Sequence, residues 1–140
     1  MAGVLDDYLV DPNVSLLDKV RMQALRDWSK QLFAAIGDGI EGSPRRKFAT
    51  IQRPWGEVSG KEVEFEILRH DEEAMEFDVT RCRFAEFFRA LGEPDLGAML
   101  ICETDFDIAS VGDGEVNLDR AQTIMRGAPS CTFRDKFAPR

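Results

Sequence analysis

Two adjacent segments in the middle of the chain alternate apolar and polar residues with a period of two. The first covers residues 61–69 and the second residues 74–80, with a short polar turn at residues 70–73 between them. Such alternation is typical of strands that bury one face, and a short polar connection favours an antiparallel hairpin. The side chains predicted to point inward are Val63, Phe65 and Ile67 in the first strand, and Met75, Phe77 and Val79 in the second.

Ahead of this hairpin the apolar period changes to 3.6 residues, which indicates an amphipathic helix. This helix is predicted over residues 16–36, because Ser15 and Asp18 resemble a capping box and Gly37 is suited to end it. We expect the apolar stripe of the helix to pack in the core. The stripe consists of Leu17, Val20, Ala24, Leu25, Trp28, Leu32 and Ile36.

The remaining elements are shorter. After the first hairpin, two central helices are predicted over residues 83–91 and 94–102. A short strand is predicted over residues 48–52, where a proline and a glycine soon follow. A second hairpin is predicted from a strand over residues 116–125 and another over residues 130–137.

Strands therefore come in adjacent runs instead of alternating one by one with helices, which predicts an α+β fold. We expect an antiparallel sheet of about four to five strands, packed against an N-terminal helix and two central helices. The length of 140 residues is typical of one domain. We predict a loose lead-in over residues 1–14 and a single α+β domain over residues 15–140.

The chain is acidic, because 26 Asp and Glu residues outnumber 18 Lys and Arg residues and give a net charge of −8. Binding to a phosphate backbone depends on lysine and arginine, so this charge argues against nucleic acid and anionic membranes as partners. No apolar run approaches the ~18 residues that span a bilayer, and the first ten residues lack the basic start of a secretory signal. We therefore predict a cytoplasmic protein that binds a small-molecule substrate, with no nucleic acid and no membrane as partner.

The three cysteines, Cys82, Cys102 and Cys131, lie at predicted element boundaries. Their number is odd and no C-x-x-C pair is present, which favours free thiols. Their separations, 20 and 29 residues, are unlike the closely paired ligands of structural zinc, so we expect no metal, with a zinc site completed by Asp105 or a water as the alternative. We also expect no cofactor. Cys82 lies between Arg81 and Arg83, at the N-terminal end of a predicted helix. Neighbouring arginines and a helix N-terminus both lower the pKa of a thiol. The alternative is that each cysteine is a small buried apolar residue.

Four carboxylates, Glu86, Glu103, Asp105 and Asp107, are grouped around the two central helices. Two uses for them stay open at this point. They form a solvated helix face, or one of them is buried beside a thiol and acts as a general acid or base.

Several short motifs follow one another between about residues 77 and 134. They are Arg81-Cys82-Arg83-Phe84-Ala85-Glu86, Leu91-Gly92 with Leu96-Gly97, Cys102 with Asp105, Arg120 with Gln122-Thr123-Ile124, and Gly127 with Cys131 and Phe133-Arg134. In this order and spacing they resemble the L-2-amino-thiazoline-4-carboxylic acid hydrolase family. The closing segment is also similar to that of 4-vinyl reductase-type small-molecule-binding domains. That similarity implies an α+β fold with a ligand pocket between helices and sheet.

The resemblance implies a hydrolase that opens a small cyclic amidine, such as 2-aminothiazoline-4-carboxylate, to an N-carbamoyl amino acid. Water must add to the ring C=N carbon, which needs an acid, and a base or thiolate to activate or replace the water. On this basis Cys82 is the expected nucleophile or key polar contact, and Asp105 and Glu86 are the expected proton handlers. The residues expected to bind the substrate are Cys102, Cys131, Arg120, Thr123 and Arg134, with Arg120 or Arg134 holding its carboxylate.

Other functions stay open. A non-catalytic small-molecule-binding or sensor domain of the related fold is the main alternative, and an accessory subunit or an isomerase that uses the same thiols are further ones. A cyclic lactam or imide would serve as substrate as well as the thiazoline, since one fold hosts many reactions. The apolar stripe of the first helix also offers a seam for a homodimer, although we expect it to be buried in the core.

Overall fold

The computed structural model describes residues 4–58 and 62–139 of the chain. The helices are α1 (Val4–Val10), α2 (Leu16–Asp38), α3 (Pro44–Val58), α4 (Arg83–Ala90), α5 (Pro94–Gly97) and α6 (Thr104–Ser110). The strands are β1 (Val63–His70), β2 (Ala74–Cys82), β3 (Val116–Asp119) and β4 (Cys131–Phe137). A π-helical segment, Ala98–Cys102, lies between α5 and α6, and a 3₁₀ turn, Ile124–Arg126, precedes β4.

Within the described residues the strands form one antiparallel sheet of four strands in the order β1-β2-β4-β3. Strand β2 pairs with β1 on one side and with β4 on the other, so Phe77 lies opposite both Ile67 and Phe133. Strand β3 pairs with the other side of β4. The prediction of an α+β fold with an antiparallel sheet and an N-terminal helix is confirmed.

The strand predicted over residues 48–52 is wrong, because this segment belongs to helix α3. The Ser43 hydroxyl accepts a hydrogen bond from the Arg46 amide at 3.3 Å, and Pro44 is the first helical residue. A serine cap followed by proline at the first position is a strong helix start, and it outweighs the breakers further along. The helix buries Phe48, which is 3% exposed.

Two further boundaries differ from the prediction. The lead-in expected over residues 1–14 contains helix α1, and the strand expected over residues 116–125 ends at Asp119. Beyond that point the chain turns on itself, because the Ala128 amide donates to the Thr123 carbonyl at 3.1 Å and Gly127 has a φ of 98°. Local hydrogen bonds of this turn replace the strand pairing, and they place Thr123 beside the helices instead of in the sheet.

Helix α2 begins as predicted, since the Ser15 hydroxyl accepts a hydrogen bond from the Asp18 amide at 3.1 Å. Its apolar stripe, however, does not pack in the core. Trp28 is 60% exposed, and most of the other large residues of the stripe are exposed as well. These are Leu17, Val20, Leu32 and Ile36. The expectation that the stripe is buried is therefore wrong, and the opposite side of the helix faces the interior.

The buried side of α2 is partly polar, and its partner is helix α6. Arg26 and Ser29 are buried, and both donate to the same oxygen of Asp107, at 2.6 and 2.7 Å. Arg26 also donates to the backbone carbonyls of Met99 and Glu103. This network explains the orientation of the helix, because a buried ion pair must keep all of its hydrogen bonds.

The buried apolar residues form separate clusters on the two sides of a central space. One cluster lies on the sheet and contains Phe77, Val79, Cys131 and Phe133. Another lies among the helices and contains Ala85, Ala98, Cys102 and Met125. Cys131 thus belongs to the cluster on the sheet and Cys102 to the cluster among the helices. Of the helices in the described part of the chain, none combines the length and apolarity needed to cross a bilayer.

Candidate functional site

A cavity of about 130 Å³ lies between the sheet and the helices. This size suits one small ring, since an apolar cavity of ~150 Å³ in another protein binds benzene. Six of the eight site residues predicted from the sequence line it, namely Cys82, Cys102, Asp105, Arg120, Thr123 and Cys131. The other lining residues among those described are Gln52, Val63, Phe65, Met75, Phe77, Val79, Phe84, Ile101, Thr104 and Phe133.

The three thiols reach this cavity from three different elements. Cys82 ends β2 and caps helix α4, where its Sγ accepts a hydrogen bond from the Ala85 amide at 3.4 Å. Cys131 begins β4, and its Sγ accepts a hydrogen bond from the Ile124 amide at 3.2 Å. Cys102 closes the π-helical segment and is 9% exposed. Cys82 is half-buried and therefore the most accessible of the three.

Burial raises the pKa of all three thiols. The effect is largest at Cys102, whose pKa rises to about 12, and at Cys82 and Cys131 the amide hydrogen bonds oppose it only in part. The expectation that flanking arginines lower the pKa of Cys82 is wrong. Arg81 instead pairs with Glu86 at 2.8 Å on the exposed surface. The resting thiols are thus protonated at neutral pH.

An ion pair between Asp105 and Arg120 supplies the charged part of the cavity. Nη1 of Arg120 lies 2.6 Å from the Asp105 carboxylate and 2.5 Å from the Cys102 carbonyl oxygen. The Arg120 side chain is 4% exposed, whereas Asp105 keeps 28% of its side chain accessible. The guanidinium also lies 4.8 Å from the ring centre of Phe106 and 5.7 Å from that of Phe133. The arginine is thus fixed in place, while its carboxylate partner stays within reach of a ligand.

Two buried polar atoms at this site have no hydrogen-bond partner in the described structure. They are Nε of Arg120 and Oγ1 of Thr123. Burying a polar group without a partner costs ~1–3 kcal/mol, so such atoms at a cavity wall indicate a place for a polar ligand. Both residues, together with Cys102, also border a second, polar cleft of about 630 Å³.

Burial raises the pKa of Asp105 to about 7, and the guanidinium of Arg120 opposes this rise. The Asp105 side chain is 28% accessible, yet burial raises its pKa strongly. The two observations are compatible, because the accessible part of the side chain lines a small cavity and not the outer surface. A carboxyl group with a pKa near 7 exchanges its proton readily at neutral pH, which is the property of a general acid or base.

Two predicted residues lie outside the cavity. Glu86 is on the exposed side of α4 in its ion pair with Arg81, and Arg81 lowers the pKa of that carboxyl. Arg134 alternates away from Cys131 and Phe133 on β4 and pairs with Asp78 at 2.8 Å. Of the predicted carboxylates, Asp105 therefore lines this cavity and Glu86 does not. Of the predicted arginines, Arg120 lines it and Arg134 does not.

A family model for L-2-amino-thiazoline-4-carboxylic acid hydrolase matches residues 16–134, which is most of the chain. The chain belongs to the L-2-amino-thiazoline-4-carboxylic acid hydrolase family. Searches of the curated proteins and of the solved structures find no significant match. The family match extends well beyond the motifs of the C-terminal half and includes α2, α3 and the first hairpin.

The glycines of the family motifs have physical roles in this chain. A Cβ on Gly97 would lie 2.6 Å from Sδ of Met125 and from the ring of Phe88, so only glycine lets α5 approach its neighbours this closely. Gly127 adopts a left-handed φ of 98° at the end of the 3₁₀ turn. Both positions hold the helices and the turn that bring Cys102 and Thr123 to the cavity.

Some residues of the site were not predicted. Phe65, Phe77 and Phe133 were expected in the core or only as part of a motif, but they form a row of rings along one wall of the cavity. Phe77 and Phe133 stack with centres 4.5 Å apart, and Phe65 meets Phe77 edge-on at 6.0 Å. Alternation predicts that such side chains point inward, but it does not show whether a cavity or another side chain lies in front of them.

The buried carboxyl of Asp135 is a second unpredicted feature. Asp135 is 2% exposed, and burial raises its pKa to about 7. Its charge also contributes to the raised pKa of Asp105. Among the described side chains, no group of three or more His, Cys, Asp or Glu residues is arranged to hold a metal ion.

Proposed function

We propose that the protein hydrolyses a small cyclic amidine that carries a carboxylate, with 2-aminothiazoline-4-carboxylate as the reference substrate. One observation supports this most. A cavity of the size of one small ring contains an accessible carboxyl with a pKa near 7, a fixed arginine and unpartnered polar donors. These are the groups that addition of water to a charged ring requires.

In this proposal Arg120 and Thr123 bind the substrate carboxylate. The unpartnered Nε–H of the guanidinium and the Thr123 hydroxyl are both donors that a carboxylate oxygen can accept from. Hydrogen bonds between a charged donor and a carboxylate are about twice as strong as neutral ones. The substrate would thus satisfy atoms that the folded protein leaves without partners.

Asp105 is the proton handler of the proposed reaction. Its ionised form takes a proton from the attacking water while a C–O bond forms at the amidine carbon. The electron pair of the C=N bond goes to the ring nitrogen, which receives that proton from Asp105. Asp105 then takes the proton of the new hydroxyl as the carbonyl forms and the C–S bond of the ring breaks, and it passes this proton to the sulfur, which leaves as a thiol. The product is the N-carbamoyl amino acid, and one water is consumed. A pKa of about 7 suits both steps, because the carboxyl gains and loses a proton with little cost at neutral pH.

Cys82 is the most accessible thiol of the cavity, and two roles for it follow from its state. As a nucleophile it must first lose its proton, since burial raises its pKa. As a polar contact it needs no ionisation. Replacement by serine distinguishes the two roles, because serine keeps a polar contact but is a much weaker nucleophile than a thiolate.

The direct test is to incubate the purified protein with 2-aminothiazoline-4-carboxylate and to detect N-carbamoylcysteine by mass spectrometry. We expect turnover that a chelator does not change, and its near-complete loss in Asp105→Asn. Glu86→Gln is the matched control, since Glu86 is a carboxylate of the same motif region outside the cavity. Equal activity of wild type and Asp105→Asn would contradict the proton-handling role. No turnover of any cyclic amidine would contradict the hydrolase.

A second candidate function is that of a non-catalytic binding domain. The protonated state of all three thiols favours it, because a binding site needs no activated nucleophile. A binding domain predicts that a ligand binds, that substitution of Arg120 weakens this binding, and that the ligand is recovered unchanged. Isothermal titration, followed by mass spectrometry of the same sample, separates this outcome from hydrolysis.

A further inference from the structure

The wall of the cavity is polar at one end and apolar along the rest. The charged pair Asp105–Arg120 and Thr123 form the polar end. Among the described lining residues, eight are valine, isoleucine, methionine or phenylalanine. A small ring such as 2-aminothiazoline-4-carboxylate uses the polar end, but it has only one CH2 group and the ring sulfur to contact the apolar wall.

The apolar wall has a direction. The stacked rings of Phe133 and Phe77 continue into Phe65 on the edge strand β1, and the Arg120 guanidinium lies 5.7 Å from the centre of Phe133. The row of rings therefore leads from the charged end of the site toward β1. Phe65 is 36% exposed, so the far end of the row is not covered by the protein itself.

We propose that the physiological substrate carries an aryl or alkyl group in addition to its charged head. This inference rests on the proposed function, because it concerns the same cavity. The carboxylate end lies at Arg120 and Thr123, and the apolar group lies along Phe133, Phe77 and Phe65. Phe65 is the exposed ring of this row, and covering its apolar surface stabilises a complex by roughly 25 cal/mol per Å², so an added ring is expected to increase affinity about tenfold.

A binding experiment tests the apolar wall without requiring turnover. The probe is 8-anilinonaphthalene-1-sulfonate, an aromatic molecule with one anionic group, monitored by its fluorescence. We expect Phe65→Ser to weaken binding about tenfold. Ile67→Ser is the matched control, since Ile67 is on the same strand and 53% exposed but does not line the cavity. Equal binding by wild type and Phe65→Ser would overturn the proposal.

A kinetic experiment separates this inference from the proposed function. It compares two substrates by their kcat/KM, namely unsubstituted 2-aminothiazoline-4-carboxylate and its 5-benzyl derivative. A value at least about tenfold higher for the benzyl compound, lost in Phe65→Ser, supports both proposals. Preference for the unsubstituted compound would leave the hydrolase standing and overturn the apolar substrate. Turnover of neither compound, with Phe65-dependent probe binding, would overturn the hydrolase and support an apolar ligand.

The exposed side of α2 carries a second, independent inference. Every fourth residue from Leu16 to Leu32 forms one ridge, which consists of Leu16, Val20, Ala24, Trp28 and Leu32. All five are exposed, and Leu16 is 78% and Trp28 60% exposed. Rows of residues four apart are the ridges that pack in the commonest class of helix–helix contact.

The ridge is complementary to a second copy of itself. With a two-fold axis at Ala24, an antiparallel copy places Trp28 against Val20 and Leu16 against Leu32. The same axis places Arg21 opposite Asp27 on both sides of the seam, and both are exposed. We propose that the chain forms a two-fold symmetric homodimer through this ridge. An interface of this type needs one self-complementary patch, which the helix supplies.

The test is the oligomeric state measured by analytical ultracentrifugation. We expect a wild-type dimer that Arg21→Asp or Asp27→Arg alone weakens by about tenfold, because each single change places like charges opposite one another. The double variant restores the charge match and the dimer. Trp28→Ser abolishes the dimer while the circular dichroism stays unchanged. A monomeric wild type, or a double variant no better than the single ones, would overturn the proposal.

Discussion

Helix α6 carries two aspartates two positions apart, and each forms an ion pair with a buried arginine at 2.6 Å, but the two pairs differ in the exposure of the carboxylate and in the hydrogen bonds that the arginine keeps. Asp107 accepts hydrogen bonds from Arg26 and Ser29, and its side chain is 2% exposed. Asp105 pairs with Arg120 at the cavity and keeps 28% of its side chain accessible. In the described structure no atom of the first pair is buried without a partner, whereas Nε of Arg120 is.

The comparison shows how one ion-pair chemistry serves two purposes. The Arg26–Asp107 pair is saturated in the sense that it leaves no buried atom without a partner in the described structure, and its role is to join α2 to α6. The Arg120–Asp105 pair is incomplete, because Nε of Arg120 has no hydrogen-bond partner in the described structure and is free to donate to a ligand. A protein keeps such an unsatisfied group only at a cost in stability, which is why unsatisfied polar atoms tend to mark functional places.

The largest expected effect concerns the saturated pair. Asp107→Ala leaves Arg26 buried with no counter-charge, and removal of one partner of a buried pair costs ~3–5 kcal/mol. We expect the free energy of unfolding, measured by urea denaturation, to fall by that amount. The kcat/KM of the fraction that stays folded should match wild type. A loss below ~1 kcal/mol would mean that the pair does not anchor α2.

The second effect concerns the incomplete pair. Asp105→Asn keeps the shape and an acceptor for Arg120 but removes the proton handler, which should lower kcat/KM by about hundredfold or more. In wild type kcat/KM should rise with pH around 7, since the basic form of Asp105 exists above its pKa. A steady-state pH profile measures both. The same inflection near pH 7 in the variant would assign it to another group.

Asp135 is a third buried aspartate, and within the described structure it forms no ion pair with an arginine. Its folded pKa of about 7 lies above the ordinary value of 3.8, so the folded state binds a proton that the unfolded state releases between these values. Stability is therefore greatest below about pH 4 and is lost as the pH rises through 7, where the folded carboxyl releases its proton. We expect Asp135→Asn to remove most of this loss in the free energy of unfolding, measured by urea denaturation at several pH values. An unchanged pH dependence would contradict it.

The smallest effect has opposite signs for stability and for function. Thr123→Val removes a buried hydroxyl that has no partner, so the free energy of unfolding should rise by up to ~1 kcal/mol. The affinity for a carboxylate substrate should fall about tenfold, because one donor is lost. Thermal denaturation and isothermal titration give the two values. If Thr123→Val destabilises the protein, the Thr123 hydroxyl has a hydrogen-bond partner in the folded protein, and the proposal that it binds the ligand is contradicted.

The same contrast explains what the sequence could predict. Alternation in β1 and β2 and the caps of α2 are local signals, so the α+β class and these elements follow from neighbouring residues. The buried side of α2 does not, because Arg26 depends on Asp107, which is 81 residues away. Periodicity locates an apolar stripe but does not show whether the fold covers that stripe or the other side.

The candidate site divides in a similar way. Motif resemblance indicates Cys82, Asp105 and Arg120 together, because members of one family share the residues that meet in space. It indicates Glu86 and Arg134 equally, although these two lie outside the cavity. Which of two carboxylates faces a cavity depends on side-chain direction over several packed elements. The raised thiol pKa values also depend on burial, which flanking arginines in the sequence do not reveal.

The most direct test of this contrast is the same substitution at both arginines, Arg26→Lys and Arg120→Lys. Lysine keeps the charge but loses the planar fork of donors. We expect Arg120→Lys to lower the kcat/KM for 2-aminothiazoline-4-carboxylate by about tenfold to hundredfold with little change in stability, while Arg26→Lys lowers stability and leaves kcat/KM unchanged. Equal losses of kcat/KM in both variants, or full activity of Arg120→Lys, would contradict it.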